Sequence, residues 1–193
     1  MKRLLAAVIA GAALSAAAAP AFAAEVAYKL DPAHTETTFT IDRFGFTSII
    51  GIFAASEGTI WLDEAAPEKS RVEATVTVDS LLTANPTRDE HIKGERWLNA
   101  AKSPTMTFKS TKVEKTGDTT AKVTGDLTIM GVTQPAVLDV KLNKIGTAPN
   151  NQKKQAGFTI TGQISRKAFG SAGAAGVIGD AVNIRIETLA VAQ

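Results

Sequence analysis

The chain of 193 residues contains no cysteine, and only two of its residues are histidine. The missing thiols exclude disulfides, thiol catalysis, cysteine metal sites and a lipid-modified N-terminal cysteine. His34 and His91 are the only side chains whose ordinary pKa lies near neutrality. They are far apart in sequence, so the spacing expected of a metal site is absent and no metal is expected. No Gly-x-Ser-x-Gly elbow supplies a nucleophile for an Asp-His pair such as Asp89 and His91. Structural roles are therefore expected for both histidines, and catalytic residues are expected to be none. The glycine run from Gly170 to Gly179 lacks the Gly-Lys-Ser/Thr ending of a phosphate-binding loop. It reads as a connection between the last two strands, with Val177 and Ile178 placed to cover a barrel mouth.

Charge of one sign is also missing. The formal net charge of +2 includes Lys2 and Arg3. Without them basic and acidic residues balance, and Lys153-Lys154 and Arg166-Lys167 are the only remaining adjacent basic pairs. No basic stripe is present to displace counterions from phosphates, so nucleic acid is not an expected partner. Electrostatic attachment to anionic lipid is equally unsupported.

Long apolar runs are confined to the N-terminus. Lys2 and Arg3, the alanine-rich stretch Leu4 to Ala19 and the Ala21-Phe22-Ala23 triplet have the order of a cleavable secretion signal. Residues 1–23 are thus expected to be a signal peptide and 24–193 one mature domain, periplasmic and without a stable membrane anchor. The run is short for a span of roughly 20 residues, and Pro20 breaks it.

The remainder alternates. Val72, Ala74, Val76 and Val78 interleave with Glu73, Thr75, Thr77 and Asp79, a period of two with one dry face. The same pattern recurs at Ala121 to Ile129, Ala136 to Leu142, Ala156 to Ile164 and Val182 to Ile186. Turn residues separate the runs at Thr116-Gly117-Asp118, Gly131 to Gln134 and Gly146 to Gln152. Short connections imply an antiparallel meander of about eight strands, and closing it into an up-and-down barrel removes the edges. Between Ser80 and Ser103 the alternation lapses. There Thr87-x-x-Glu90 has capping-box spacing, which predicts a short helix from Pro86 or Thr87 to near Leu98, weakened at Gly94, as a lid.

Aromatic residues are few and clustered. Phe39, Phe44, Phe46 and Phe53 fall in one short stretch, with Phe39 and Ile41 on one strand face and Arg43 continuing it. Trp61 is out of phase with Ile60 and Leu62 and reads as outward, whereas Trp97 stands beside the helix at the mouth. An eight-stranded barrel is wide enough either to be packed solid or to hold one small ligand, and physics alone leaves both open.

Ordered motifs narrow this. Arg88-Asp89-x-His91-Ile92 is followed by Leu98-Asn99-Ala100-Ala101-Lys102-x-Pro104, Thr107-Phe108-x-Ser110-Thr111 and Gly125-Asp126-Leu127-Thr128-Ile129-x-Gly131-Val132-Thr133-x-Pro135. Asp31-x-x-His34, Phe44-Gly45-Phe46, Gly51-x-Phe53, Gly157-Phe158 and Phe169-Gly170 fall in order around them. Together these resemble the YceI-like family of secreted, lipocalin-like bacterial proteins that bind polyisoprenoid lipids. The resemblance implies an all-β, antiparallel up-and-down lipocalin-like barrel with one short helix. It also implies a periplasmic carrier holding a long isoprenoid, a quinone or its precursor, in an apolar cavity. The ligand-lining residues it suggests are Phe39, Ile41, Arg43, Phe44, Phe46, Phe53, His91, Trp97, Phe108, Ile129, Phe158 and Phe169. No cofactor other than the lipid is implied.

Arg43, Arg88, His91 or Arg166 would meet a polar head. Arg43-Phe44 and Met130 depart from the residues common in the family: the first is expected to change the polar head accepted, the second to remove a polar contact and leave a flexible apolar side chain. Each isoprene unit would bury roughly 80–100 Å² of apolar surface, worth about 2 kcal/mol. Several units outweigh an association cost of about 4–15 kcal/mol. The alternatives are a filled barrel serving a membrane redox partner and an enzyme acting on isoprenoid lipids. The oligomeric state stays open, a homodimer among the states allowed.

Overall fold

The computed structural model describes residues 25–193; the expected signal peptide lies outside them. The chain forms β1 (Val26–Arg43), β2 (Thr47–Phe53), β3 (Ser56–Leu62), β4 (Arg71–Thr77), β5 (Leu81–Leu82), α1 (Pro86–Lys93), β6 (Thr105–Lys115), β7 (Thr120–Ile129), β8 (Val132–Thr147), β9 (Lys154–Ser165) and β10 (Ile178–Ala192). Every strand pairing is antiparallel, and β10 returns to pair with β1. β2 and β3 run in succession beside one long β1: β2 pairs with its second half and β3 with its start. The two count as one stave, so the closed barrel has eight, in chain order. The expected fold class is the one observed.

The break between β2 and β3 has its counterpart in β1. There the register with β10 jumps between Leu30 and Thr35, and residues 31–34 leave the ladder. Asp31 holds this excursion, accepting from the Ala33 amide at 3.0 Å and contacting His34 Nδ1 at 2.8 Å. The His34 contact, followed by the amide bond, draws the Asp31 carboxyl below its usual range. His34 is thus occupied on the outside of the barrel.

The β7–β8 connection is a two-residue hairpin, Met130-Gly131, with both residues at positive φ (54° and 76°). That geometry matches the twist of the flanking strands and favours Asn-Gly. Met130 is not on the cavity wall. Its departure from the family pattern therefore bears on the turn and not on the cavity wall.

The helix starts at Pro86, as expected, but its cap and its end differ. Asn85 caps it, its side chain accepting from the Arg88 amide at 3.0 Å, and Pro86 occupies the first turn. The Thr87-x-x-Glu90 box lies inside the helix, which ends at Lys93 before Gly94 and not near Leu98. Turns held by Trp97 N→Gly94 O and Asn99 N→Gly94 O continue the lid.

Candidate functional site

The inward faces of the strands enclose a cavity of about 550 Å³ that runs along the barrel interior. This lies within the roughly 300–1,000 Å³ typical of small-molecule sites. The barrel is hollow, which removes the physical basis of the filled-barrel alternative. Its wall is overwhelmingly apolar. Ile60, Val76, Leu127, Leu138, Val140 and Ile184 are among its aliphatic residues, none of them singled out by the sequence reading beyond their strand alternation.

Of the candidate residues, Phe39, Ile41, Phe53, Trp97, Phe108, Ile129, Phe158 and Phe169 all line this cavity. Two glycines make room for the rings. A β-carbon on Gly51 would stand 2.3 Å from the Phe39 ring, and one on Gly125 2.5 Å from the Phe108 ring. The rings therefore lie flat across neighbouring strands, and Phe39 packs on Phe53 with centroids 5.7 Å apart. Toward the end where the β3–β4, β6–β7 and β8–β9 connections lie, the buried Tyr28, Leu30, Ala156, Phe158 and Ala190 form the best-packed cluster. Tyr28 Oη donates to Glu64 at 3.3 Å. Burial, with help from the Glu64 charge, raises the Tyr28 pKa.

Arg43, Phe44, Phe46 and His91 are not on the wall. Phe44-Gly45-Phe46 forms the tip of the β1–β2 hairpin, where Phe44 has a positive φ of 56° and a bond runs from Gly45 N to Asp42 Oδ2 at 2.8 Å. The tip projects outward, leaving Phe44 51% and Phe46 91% exposed. Arg43, also exposed, lies over the Phe44 ring at 5.5 Å. His91 sits on the solvent side of α1. Alternation places a residue in or out only while the strand persists, and it ends at Arg43. Trp61 does face outward, under the Arg71 guanidinium at 3.5 Å.

The lid closes the end from which β6 departs. Arg88 does not reach the mouth. Its Nε donates to Thr83 Oγ1 at 2.7 Å and its Nη2 to the Thr83 carbonyl. Ile92, Trp97 and Leu98 supply the apolar underside. The β9–β10 connection crosses beside them, its Ala172 and Gly173 amides donating to Arg96 O at 3.1 and 2.8 Å. Phe169 and Ser171 of this segment reach the cavity, and Val177 and Ile178, expected to cover it, do not. Val177 O instead accepts from Phe44 N at 3.1 Å, tying the hairpin tip to the connection.

Polar groups on the wall are few. Thr35 and Thr188 share a hydrogen bond of 2.7 Å, and Thr37 and Ser56 one of 3.0 Å, all four side chains buried. Arg166 is also buried and borders the cavity beneath the lid. The sequence reading missed the hydroxyl stripe. Its signal was present in Thr35-x-Thr37-x-Phe39-x-Ile41, one continuous inward face.

The YceI-like domain model matches residues 28–190. A UPF0312 protein of Pseudomonas savastanoi pv. phaseolicola (strain 1448A / Race 6) is 38% identical over 173 residues, covering 90% of this chain and 89% of its own. The crystal structure of Burkholderia cenocepacia BcnA superposes with a TM-score of 0.75 at 21% identity, over 83% of this chain and 98% of that one. A polyisoprenoid binding domain from Saccharophagus degradans, implicated in plant cell wall breakdown, superposes with a TM-score of 0.65 at 14% identity, over 87% and 99%. These last two likenesses are likenesses of fold.

Proposed function

This chain belongs to the YceI-like family, and on that premise we propose that it is a carrier for a long-chain isoprenoid lipid, a quinone or its precursor, held in the barrel and moved without chemical change. The single observation that carries the reading is the continuous apolar wall of the 550 Å³ cavity. A structural neighbour described as a polyisoprenoid binding domain supports it. Such a wall has little to offer a polar metabolite, whose groups would lose water without replacement. It suits a ligand whose affinity accumulates along its length at about 25 cal/mol per Å².

A periplasmic location is part of this reading and is supported by the signal-like order of residues 1–23; there a lipid tail needs shielding between membranes. His34 is taken up by Asp31 on the outside of the barrel and His91 faces solvent, so neither histidine borders the cavity as a base for conversion of the ligand. The reading is tested by native mass spectrometry of protein purified gently from its own periplasm, followed by lipid extraction. An adduct with the mass of an isoprenoid lipid is expected. Protein that arrives empty and takes up no isoprenoid quinone would overturn it.

A further inference from the structure

Among the described residues three cations border the cavity. Arg71 is stacked on Trp61 and bridged to Glu25 at 3.0 Å, and Lys115 is exposed at the opposite end of the barrel from the lid. Arg166 differs from both: only 5% of its surface is exposed. Its Nε donates to Gly179 O at 2.8 Å, Nη1 to Ser171 O at 2.8 Å and Nη2 to Ile178 O at 3.1 Å. A guanidinium has five N–H donors, so these bonds leave two. Among the described residues no carboxylate is within hydrogen-bond distance of it. The nearest candidate, Asp180, accepts from Ser165 Oγ at 2.7 Å and from the Lys167 amide at 3.0 Å, and it reaches Arg166 only through space.

Two aromatic rings lie at the same end. Trp97 lies with its ring centroid 5.0 Å from the guanidinium carbon, and Phe169 lines the same end. Burial opposes the charge and pulls the Arg166 pKa down, with Asp180 acting in the other direction. A guanidinium nevertheless stays protonated. The three carbonyl bonds account for a structural duty, stapling the β9–β10 connection. They do not account for a buried positive charge with two spare donors at the end of an apolar chamber. Buried charges are ordinarily paired, and in a medium of low polarity a counter-charge is worth far more than it is at the surface.

We propose that Arg166 is the head-group site of this barrel and that the ligand it selects is an apolar chain ending in an anionic oxygen group, a carboxylate or a phosphate, seated against its free N–H donors beneath the lid. The proposal rests on the carrier reading and adds head-group selection, which favours an anionic precursor over the neutral quinone, and polarity: the charged end lies under the lid and the tail runs toward the opposite end. A bidentate oxyanion fits the planar fork better than a hydroxyl, which offers one oxygen and no charge.

The test compares three ligands with the same C15 chain, farnesoic acid, its methyl ester and farnesol, by displacement of a fluorescent apolar probe from delipidated protein at neutral pH. The acid is expected to bind at least tenfold tighter than the ester. In Arg166→Gln protein the ratio of acid to ester affinity should fall to about one, and Arg166→Lys should recover part of it. Equal binding of acid and ester by the wild type, or an acid preference that survives Arg166→Gln, overturns the proposal. Failure of all three to bind would instead sink the carrier reading beneath it. Should the variants not fold, the crystal structure of wild-type protein with farnesoic acid decides. A carboxylate within hydrogen-bond distance of Arg166 Nη1 or Nη2 supports the assignment, and one beside Lys115 or Arg71 overturns it.

Discussion

Asp89 receives the backbone amide and the hydroxyl of Thr83 on the same carboxylate oxygen, and both residues are buried. The Thr83 hydroxyl in turn accepts from Arg88 Nε. This chain of bonds fastens the lid helix to the segment that precedes it. Asp89→Ala would strand a buried amide and a buried hydroxyl, at a cost of about 3 kcal/mol. Arg88→Ala should cost about 2 kcal/mol, since the bonds lost involve a charged donor. For a domain of this size each kcal/mol lowers Tm by roughly 2–4 °C, so thermal melts resolve both. Asp89→Asn, which keeps an acceptor oxygen, should fall between Asp89→Ala and wild type. An Asp89→Ala melt unchanged from wild type would contradict the role given to this pair.

Met130 occupies a turn position whose positive φ suits Asn. Met130→Asn should raise stability by about 1 kcal/mol, the low end of the strain carried by a left-handed non-glycine residue. Chemical denaturation measures this. A neutral or destabilising result would show that the methionine side chain makes compensating contacts.

The cavity wall separates two phenylalanines that look alike in sequence. Phe158 belongs to the buried cluster with Tyr28 and Ala190, whereas Phe108 lies over Gly125 and is only half-buried. Phe158→Asp places an unpaired charge in packed surroundings and should cost more than about 3 kcal/mol, enough to impair folding. Phe108→Asp should leave a folded barrel that binds apolar probes at least tenfold more weakly. Circular dichroism and probe titration together distinguish the two. Unimpaired probe binding by folded Phe108→Asp protein would remove that ring from the ligand site.

Acid should loosen the β9–β10 connection. The bond from the Lys167 amide, then that from Ser165 Oγ, holds the Asp180 carboxyl below its ordinary range. A carboxylate with a lowered folded-state pKa contributes stability that is complete above its unfolded value of about 3.9 and disappears as pH falls through the folded value. Wild type should therefore be more stable than Asp180→Asn at pH 6, and the gap should narrow as the pH drops below about 4. A gap that does not change over that range would mean that Asp180 does not titrate differently in the folded state.

How far these features could be read in advance depended on whether a local rule was sufficient. Val72 to Val78 and Ala121 to Ile129 announced their inward faces because a strand needs only period-two alternation to sort its side chains. Phe39, Ile41 and Phe158 followed from the same rule, and the motif resemblance added Phe53 and Phe108. Phe44 and Phe46 lie at the strand bend, where the interrupted alternation put them, but the hairpin turn beginning after Arg43 turns both rings out and away from the cavity they were expected to line. No residue pattern distinguishes a ring at the end of a strand from one just beyond it. The helix cap was misread because Asn85-Pro86 and Thr87-x-x-Glu90 both carry start signals two residues apart, and backbone geometry chose the first. Arg166 was visible only as one of four candidate cations. Its isolation from carboxylates depends on where the β9–β10 connection folds back, a long-range outcome that sequence spacing does not encode.

The close approach of Gly173 to Trp97 offers a handle on the lid. A β-carbon there would stand 2.1 Å from the indole, so Gly173→Ala must displace the ring or the connection. Overpacking of this kind costs about 1–3 kcal/mol. Because Trp97 lines the cavity and Trp61 does not, Trp61→Phe protein reports on the lid through a single tryptophan. In that background Gly173→Ala should lower Tm and shift the emission. An identical spectrum and melt would show that the lid has slack at this point.

The central claim is that the barrel holds an isoprenoid chain in its interior, and stoichiometric uptake by delipidated protein measures it most directly. Titrating the Trp61→Phe protein with a long-chain isoprenoid quinone, followed by native mass spectrometry, should show one lipid per barrel and quenching of Trp97 that saturates at that ratio. An Ile129→Asp protein shown to be folded should lose both signals. Retention of neither lipid nor quenching by the Trp61→Phe protein, or equal uptake by folded Ile129→Asp protein, would contradict the account.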